Sequence, residues 1–147
     1  MRTPLKLAGI GCGGRTRTYL QIAAGLPQFY EVVAAADPVP ERVEMARATS
    51  RNPGFLGFAS DREILARPKL ADVMIIGTQD NNHVAPCVAA MERGYDILLE
   101  KPIATNIADV LDVHLARQDA EDVGHHEEGD KRAFAAEDDV GHAEMRE

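Results

Sequence analysis

The chain has 147 residues, of which 45% are hydrophobic, 27% charged and 5% aromatic, and its formal net charge is −8. This size and composition predict one soluble domain and argue against a large two-domain enzyme. Because the sequence has neither a run of roughly 18 apolar residues nor a signal-like N-terminus, we expect a cytoplasmic protein with no membrane partner.

Most of the negative charge lies in the last part of the chain. Residues 1–118 carry 13 acidic and 13 basic side chains, whereas residues 119–147 carry 11 acidic and 3 basic ones. An acidic tail on a neutral body repels phosphate backbones, and there is no basic stripe with interleaved aromatic residues. We therefore expect neither a nucleic-acid partner nor binding to an anionic membrane.

Short apolar runs alternate with segments of helical periodicity. The runs predict strands at 5–10, 32–36, 55–58, 73–76 and 97–99, and the periodic segments predict helices at 15–25, 41–50, 61–67, 83–93 and 106–117. Continuous apolar runs such as 73–76 are typical of strands buried on both faces of a parallel sheet. We predict an α/β fold with a doubly wound, Rossmann-like parallel sheet of five or six strands.

Each of the last two predicted helices carries an apolar stripe, which we expect to face the core. The stripe positions are Val84, Cys87, Val88 and Met91 in the fourth helix, and Ile107, Val110, Leu111, His114 and Leu115 in the fifth. On this interpretation His114 is a structural residue.

A glycine-rich turn joins the first strand to the first helix. Residues 9–14, Gly-Ile-Gly-Cys-Gly-Gly, fit the pattern G-x-G-x-x-G at Gly9, Gly11 and Gly14. The first glycine permits the tight turn, the second lets the backbone approach a pyrophosphate, and the third lets helix and strand pack closely. The helix N-terminus then offers free N–H groups to the anion.

Asp37 ends the second strand 23 residues after Gly14, which favours dinucleotide binding over an ordinary flexible turn. A carboxylate there can accept hydrogen bonds from an adenosine ribose and would repel a 2′-phosphate, so we predict NAD as the cofactor. Arg15 and Arg42 leave NADP open, and the alternative for both arginines is a solvated helix face.

Lys101 follows the fifth strand within Glu100-Lys101-Pro102, at the carboxyl edge of the sheet where ligands of open α/β sheets bind. Its ammonium could polarise a hydroxyl or carbonyl during hydride transfer. The alternative is a surface ion pair with Glu100. The bond from Lys101 to Pro102 also allows a cis peptide.

The polar loop 78–83, Thr-Gln-Asp-Asn-Asn-His, lies at the same predicted edge and opens the fourth helix. We expect Asn81 or Asn82 to cap that helix, and we interpret His83 as a packing or capping residue in preference to a general base.

From about Asp119 the sequence becomes acidic, and Asp-Val-Gly-His occurs twice, at 122–125 and 139–142. We predict a dinucleotide-binding domain at 1–118 and a poorly ordered acidic tail at 119–147, the alternative being a sixth strand that starts at 123–125. His125, His126 and His142 lack a rigid frame, and two cysteines alone cannot form a zinc site, so we predict no metal site.

These motifs resemble those of the Gfo/Idh/MocA family of NAD(P)-dependent oxidoreductases. The resemblance rests on residues 9–14, Ala36-Asp37-Pro38, residues 78–83 and Glu100-Lys101-Pro102, in that order over about 5–117. It implies a Rossmann domain whose glycine turn (Gly9, Gly11, Cys12, Gly13, Gly14, Arg15) holds the pyrophosphate and whose Asp37 meets the ribose. It also implies that Thr78, Asp80 and His83 line the nicotinamide side, next to Glu100 and the catalytic Lys101.

The resemblance further implies hydride transfer involving a hydroxyl or carbonyl of a sugar, cyclitol or related small metabolite. Family members continue into a second α/β domain that supplies acid–base residues, and this sequence lacks it, so we hypothesise a truncated or frame-shifted gene product. The exposed flank of the sheet would then favour self-association. The alternatives are a non-catalytic dinucleotide-binding module and a nonfunctional remnant.

Overall fold

A computed structural model describes residues 3–124, which form one parallel sheet flanked by helices. In chain order the elements are β1 (Leu5–Ile10), α1 (Gly14–Ala24), β2 (Tyr30–Ala36), α2 (Pro40–Ser50), β3 (Leu56–Phe58), α3 (Asp61–Leu65), β4 (Val73–Ile76), α4 (Val84–Glu92), β5 (Asp96–Leu99) and α5 (Ile107–Gly124). The sheet order is β3-β2-β1-β4-β5 with every pair parallel, which confirms the predicted Rossmann-like α/β fold.

The three central strands, β2, β1 and β4, are buried on both faces over most of their length because alternate side chains point into two separate cores. Met74 and Ile76 of β4 belong to one core with Cys87 of α4, whereas Ile75 belongs to the other with Leu20 of α1. This is why the sequence of β4 is a continuous apolar run instead of an alternating one.

The register brings the carboxyl ends of the central strands to one edge. Ile10 of β1 pairs with Ala36 of β2 and with Ile76 of β4, and Ile76 in turn pairs with Leu99 of β5. Successive strands are added on one side of β1 as far as β3 and on its other side from β4 onward, so the order of the strands switches between β1 and β4. The loops that follow these two strands therefore border the crevice where ligands of such sheets bind.

Helix α5 differs from the prediction in its exposure. The predicted stripe faces away from the core, with Ile107 80% exposed and Leu111 52% exposed, and His114 is exposed as well. Val113 packs against the core instead. Helix α5 lies against α4 with its other side. The prediction of a buried stripe is wrong because, among the described residues, no element covers the side that carries the stripe. The predicted stripe of α4 is confirmed in part: Cys87 is fully buried and Met91 packs against the core, whereas Val84 and Val88 are only half-buried.

The sixth strand considered at 123–125 does not start at its first two residues, because Val123 and Gly124 belong to α5. The predicted domain boundary at 118/119 falls within this helix and stays a prediction. His125, His126 and His142 of the acidic tail lie outside the described residues. No helix within residues 3–124 has the length and apolar character needed to cross a membrane.

Candidate functional site

At Gly11 the turn after β1 passes very close to the backbone of Thr78, at the carboxyl edge of the sheet. Its φ is +79°, and its N–H donates to the carbonyl of Ala36 at 2.9 Å. A Cβ added here would lie 2.7 Å from both the Cα and the N of Thr78, which are backbone atoms and cannot rotate away. Position 11 therefore requires glycine for both its backbone conformation and its lack of a side chain.

Close packing of α1 on the sheet depends on Thr16 and two glycines. A Cβ added to Gly9 would lie 3.1 Å from the Cγ2 of Thr16, and a Cβ added to Gly77 would lie only 2.1 Å from the Oγ1 of Thr16. A Cβ added to Gly14 would meet nothing within 4 Å. The close-packing role predicted for Gly14 is therefore carried by Gly9 and Gly77. Sequence reasoning missed Gly77, whose only signal is a glycine directly after the apolar run of β4.

Helix α1 begins at Gly14 and presents an uncapped N-terminus to the same edge. Gly13 is its N-cap residue, with no side-chain cap and no acidic residue in the first turn. The N–H of Arg17 is the first to find a carbonyl, that of Gly13, at 3.0 Å. The preceding amides lack acceptors within the helix and carry the positive end of its dipole, so they suit an anion such as a pyrophosphate.

Asp37 is only 3% exposed and is hydrogen-bonded on both oxygens. Its Oδ2 accepts from the N–H of Cys12 at 2.7 Å, and its Oδ1 accepts from the N–H of Val39 at 2.8 Å. The Nη1 of Arg42 lies 3.7 Å from Oδ2. The Cys12 amide is thus directed toward Asp37, while its buried Sγ donates to the carbonyl of Ala36 at 3.6 Å.

Both cysteine thiols are buried and free. Burial, reinforced by the carboxylate of Asp37, raises the pKa of Cys12 to about 12, and burial raises the pKa of Cys87 to about 11. The nucleophilic form of a cysteine is the thiolate, so neither side chain is suited to nucleophilic chemistry near neutral pH.

The free energy of unfolding should fall as the pH rises from the unfolded-state pKa of these thiols, about 9, to their native pKa values of about 11 and 12. Below the unfolded-state pKa of about 9 both states keep the thiol proton, whereas between about 9 and 12 only the unfolded chain loses it. Urea denaturation over that range measures the effect, and Cys87→Ala should reduce the slope of the free energy of unfolding against pH.

A thiol reagent at about pH 8 should react with the cysteines only after unfolding, and rapid reaction with the native protein would contradict the prediction.

Glu100 is held by helix α1 and not by Lys101. The Tyr19 hydroxyl donates to its Oε2 at 3.1 Å, and the Arg15 Nε lies 3.8 Å from its Oε1. Partial burial and the hydrogen bond to this carboxylate raise the pKa of Tyr19. The ion pair considered between Glu100 and Lys101 is absent from residues 3–124. Lys101 is exposed beside a cis bond to Pro102.

The loop after β4 forms a 3₁₀ turn at Asp80–Asn82 that leads into α4. His83 is the N-cap residue of α4 and no side chain caps the helix, so the predicted capping by Asn81 or Asn82 is wrong. The ring of His83 is fully buried without a hydrogen-bond partner, and its Nε2 lies 3.8 Å from the Oδ1 of Asp80. The hydroxyl of Thr78 is also buried and unpartnered.

The fold thus brings the predicted positions to one edge of the sheet. Backbone hydrogen bonds join the ends of adjacent strands there, from Gly11 to Ala36, from Gly77 to Ile10 and from Glu100 to Ile76. Around this edge the structure offers free helix amides, a buried carboxylate, an unpartnered hydroxyl and an exposed ammonium. Among the described residues, no group of three or more His, Cys, Asp or Glu side chains is arranged to hold a metal ion.

A family profile described as an oxidoreductase family with an NAD-binding Rossmann fold matches residues 5–125. No curated protein matches the chain. Solved structures do: the WlbA dehydrogenase from Chromobacterium violaceum in complex with NADH and UDP-GlcNAcA is 25% identical, with a TM-score of 0.74 over 82% of this chain and 34% of that one.

Two inositol dehydrogenases share the fold at lower identity. The scyllo-inositol dehydrogenase from Lactobacillus casei with bound NAD(H) and scyllo-inositol is 18% identical, with a TM-score of 0.72 over 82% of this chain and 34% of that one. The myo-inositol 2-dehydrogenase from Lactobacillus plantarum is 19% identical, with a TM-score of 0.71 over 80% of this chain and 34% of that one. The chain spans about a third of the length of these structures.

Proposed function

The chain belongs to the Gfo/Idh/MocA oxidoreductase family, and we propose that its NAD-binding Rossmann domain serves hydride transfer. The substrate class proposed is a sugar, cyclitol or related small metabolite, and the reacting group a hydroxyl or carbonyl. The observation that carries the proposal is the meeting of the glycine turn, the loop after β4 and the lysine after β5 at one sheet edge.

The residues of this edge fit a dinucleotide. The free amides at the start of α1 would bind the pyrophosphate, and they are accessible because a Cβ added at Gly13 or Gly14 would meet nothing within 4 Å. Asp37 lies at the end of β2, where an adenosine ribose binds in such folds. NAD, when bound, supplies the hydride acceptor. The unpartnered hydroxyl of Thr78 is one polar group left for a ligand.

Residues on the nicotinamide side would position the reacting carbon. Thr78, Asp80 and His83 follow β4, and Glu100 and Lys101 follow β5. The exposed ammonium of Lys101 would donate a hydrogen bond to the substrate oxygen and stabilise the negative charge that develops there. Glu100 would hold the backbone beside Lys101 in place through its contacts with α1.

A non-catalytic dinucleotide-binding module is the second candidate. One observation favours it: Lys101 is exposed to solvent, whereas hydride transfer is normally supported by a substrate site that excludes water. The NAD-binding half of the proposal is common to both candidates.

Calorimetric titration with NAD and NADP, followed by a turnover screen over sugars and cyclitols, separates the candidates. NAD binding with turnover supports the oxidoreductase, and Lys101→Met should then lower kcat by about 10²- to 10⁴-fold while NAD affinity is kept. Binding without turnover favours the module. Absence of binding to either cofactor would contradict both candidates, and tighter binding of NADP would contradict the preference for NAD.

We also propose that copies of the chain associate through the exposed apolar surface of β5 and α5. The exposed side chains are Leu98, on the face of β5 opposite α5, and Ile103, Ile107, Val110, Leu111 and Leu115, on α5 and the loop before it. Exposed apolar surface of this kind commonly marks an interaction site, which supports the proposal. Sedimentation velocity over a concentration series tests it, and a monomer at every concentration would contradict it. The cytoplasmic location stays a prediction.

A further inference from the structure

We propose that Asp37 is a positioning residue that holds the glycine turn in its pyrophosphate-binding shape, apart from any contact it makes with a ribose. The inference rests on the proposed cofactor site. Its basis is the pair of short hydrogen bonds that the carboxylate accepts, one from the turn after β1 and one from the turn that opens α2.

The carboxylate links two segments that are 25 residues apart in sequence. The bond from the Cys12 N–H to Oδ2 is buried and 2.7 Å long, and the bond from the Val39 N–H to Oδ1 is 2.8 Å. The Asp37 N–H donates to the carbonyl of Phe58 at 3.2 Å, which fixes Asp37 to the end of β3. Asp37 therefore joins the glycine turn to the ends of β2 and β3.

The hydrogen bond from the Cys12 N–H to Asp37 determines which backbone amides remain free to bind a ligand. The N–H of Gly11 donates to Ala36 and the N–H of Cys12 donates to Asp37, so both are directed toward β2. The amides that follow, from Gly13 to Thr16, lie at the start of helix α1 and have no intrahelical acceptor, because the Arg17 N–H is the first that bonds to a helix carbonyl. Because Asp37 fixes the orientation of the peptide group that contains the Cys12 N–H, it positions the backbone that leads into these free amides.

Asparagine at this position separates the two roles of the side chain. The asparagine amide has the size of the carboxylate and can still hydrogen-bond a ribose hydroxyl. Of its two terminal groups, however, only the oxygen is an acceptor, because the NH₂ group is a donor. The N–H of either Cys12 or Val39 would then face an NH₂ group inside the protein. A buried donor without an acceptor carries a large free-energy penalty, and this penalty falls on the turn and not on the ribose.

The test compares Asp37→Asn with the wild-type chain on two ligands by calorimetry. One ligand is NAD, and the other is an NAD analogue whose adenosine ribose lacks both hydroxyls. We expect Asp37→Asn to weaken both by the same factor, roughly 10- to 100-fold. A loss that appears with NAD and vanishes with the analogue would overturn the proposal, because the carboxylate would then act only through the ribose.

Glu41→Gln is the matched control, because it makes the same acid-to-amide change on an exposed side chain of the adjacent helix α2. Its affinity for NAD should equal that of the wild type. If Asp37→Asn does not fold, amide exchange in the ligand-free wild-type protein decides. The proposal requires slow exchange at Cys12 and Val39, and exchange as fast as in an unstructured chain would overturn it.

The two proposals can fail separately. If the wild-type chain binds no dinucleotide, the proposed cofactor site is wrong, whatever the amide exchange shows. If it binds NAD but Asp37→Asn affects only the ligand with ribose hydroxyls, the cofactor site stands and the positioning role is wrong.

Discussion

Replacing Gly11 by alanine should abolish NAD binding and lower the free energy of unfolding by about 3 kcal/mol or more. Two costs combine in this variant. An L-residue at φ +79° is strained, and the new methyl group would lie 2.7 Å from the backbone Cα and N of Thr78. The chain can relieve this contact only by moving the glycine turn away from β4, which displaces the amides that the pyrophosphate requires. Urea denaturation and NAD calorimetry measure the two effects.

Gly14→Ala is the matched control for stability. The new methyl group would meet nothing within 4 Å, and the residue is the first of helix α1, where alanine is well tolerated. Its free energy of unfolding should stay within about 1 kcal/mol of the wild-type value. If Gly11→Ala matched the wild type in both stability and NAD affinity, the close crossing at Thr78 would not be a feature of the protein in solution.

Gly77→Ala should lower the free energy of unfolding by about 2 to 3 kcal/mol, and the loss should be recovered by a second substitution. The added methyl group would lie 2.1 Å from the Oγ1 and 3.5 Å from the Cβ of Thr16. Thr16 is 1% exposed and β-branched, so its side chain has no free space into which to turn. Helix α1 would be pushed from the sheet.

Thr16→Ala supplies the compensating change. Its hydroxyl is buried without a hydrogen-bond partner, so its removal should cost only about 1 kcal/mol. In the double variant the methyl group added at position 77 occupies the space left by the Thr16 side chain, and the stability should lie within about 1 kcal/mol of Thr16→Ala alone. Denaturation of the two single variants and the double variant completes the cycle. Additive losses would show that the contact between the two positions is not what makes Gly77 necessary.

Sequence periodicity predicted the strands well because burial on both faces leaves a local mark. The runs at 5–10 and 73–76 coincide with β1 and β4, since any strand in the middle of a parallel sheet must be apolar at consecutive positions. The glycine pattern before α1 was likewise readable, because the backbone conformation at Gly11 is demanded by the turn itself.

Periodicity failed for the exposed face of α5. The stripe from Ile107 to Leu115 shows correctly which side chains share one side of the helix, but it cannot show which other element covers that side. In the described residues α4 lies against Val113 and its neighbours instead. A helix face is a local property, whereas its burial depends on what the rest of the fold places next to it.

The partners of charged residues were also decided by the fold. Lys101 adjoins Glu100 in sequence, yet the Glu100 carboxylate contacts Tyr19 and Arg15, more than 80 residues earlier in the chain. Asp37 was predicted as a site residue from its place after β2, but its bond to the amide of Cys12, 25 residues earlier in the chain, was not foreseeable. Side chains at a strand end point into space shared with other strands, so sequence neighbours do not determine their contacts.

Local sequence was enough to predict the alternation of strands and helices, the glycine turn before α1 and the residue types that follow each strand. Contacts between distant elements show that Gly9 and Gly77, and not Gly14, permit the close approach of α1, and that Asp37 accepts a hydrogen bond from the amide of Cys12. The two kinds of feature differ in the range of the interactions that set them. Backbone conformation and amphipathicity depend on residues within a few positions, whereas steric fit and hydrogen-bond pairing at the sheet edge depend on strands brought together from across the chain.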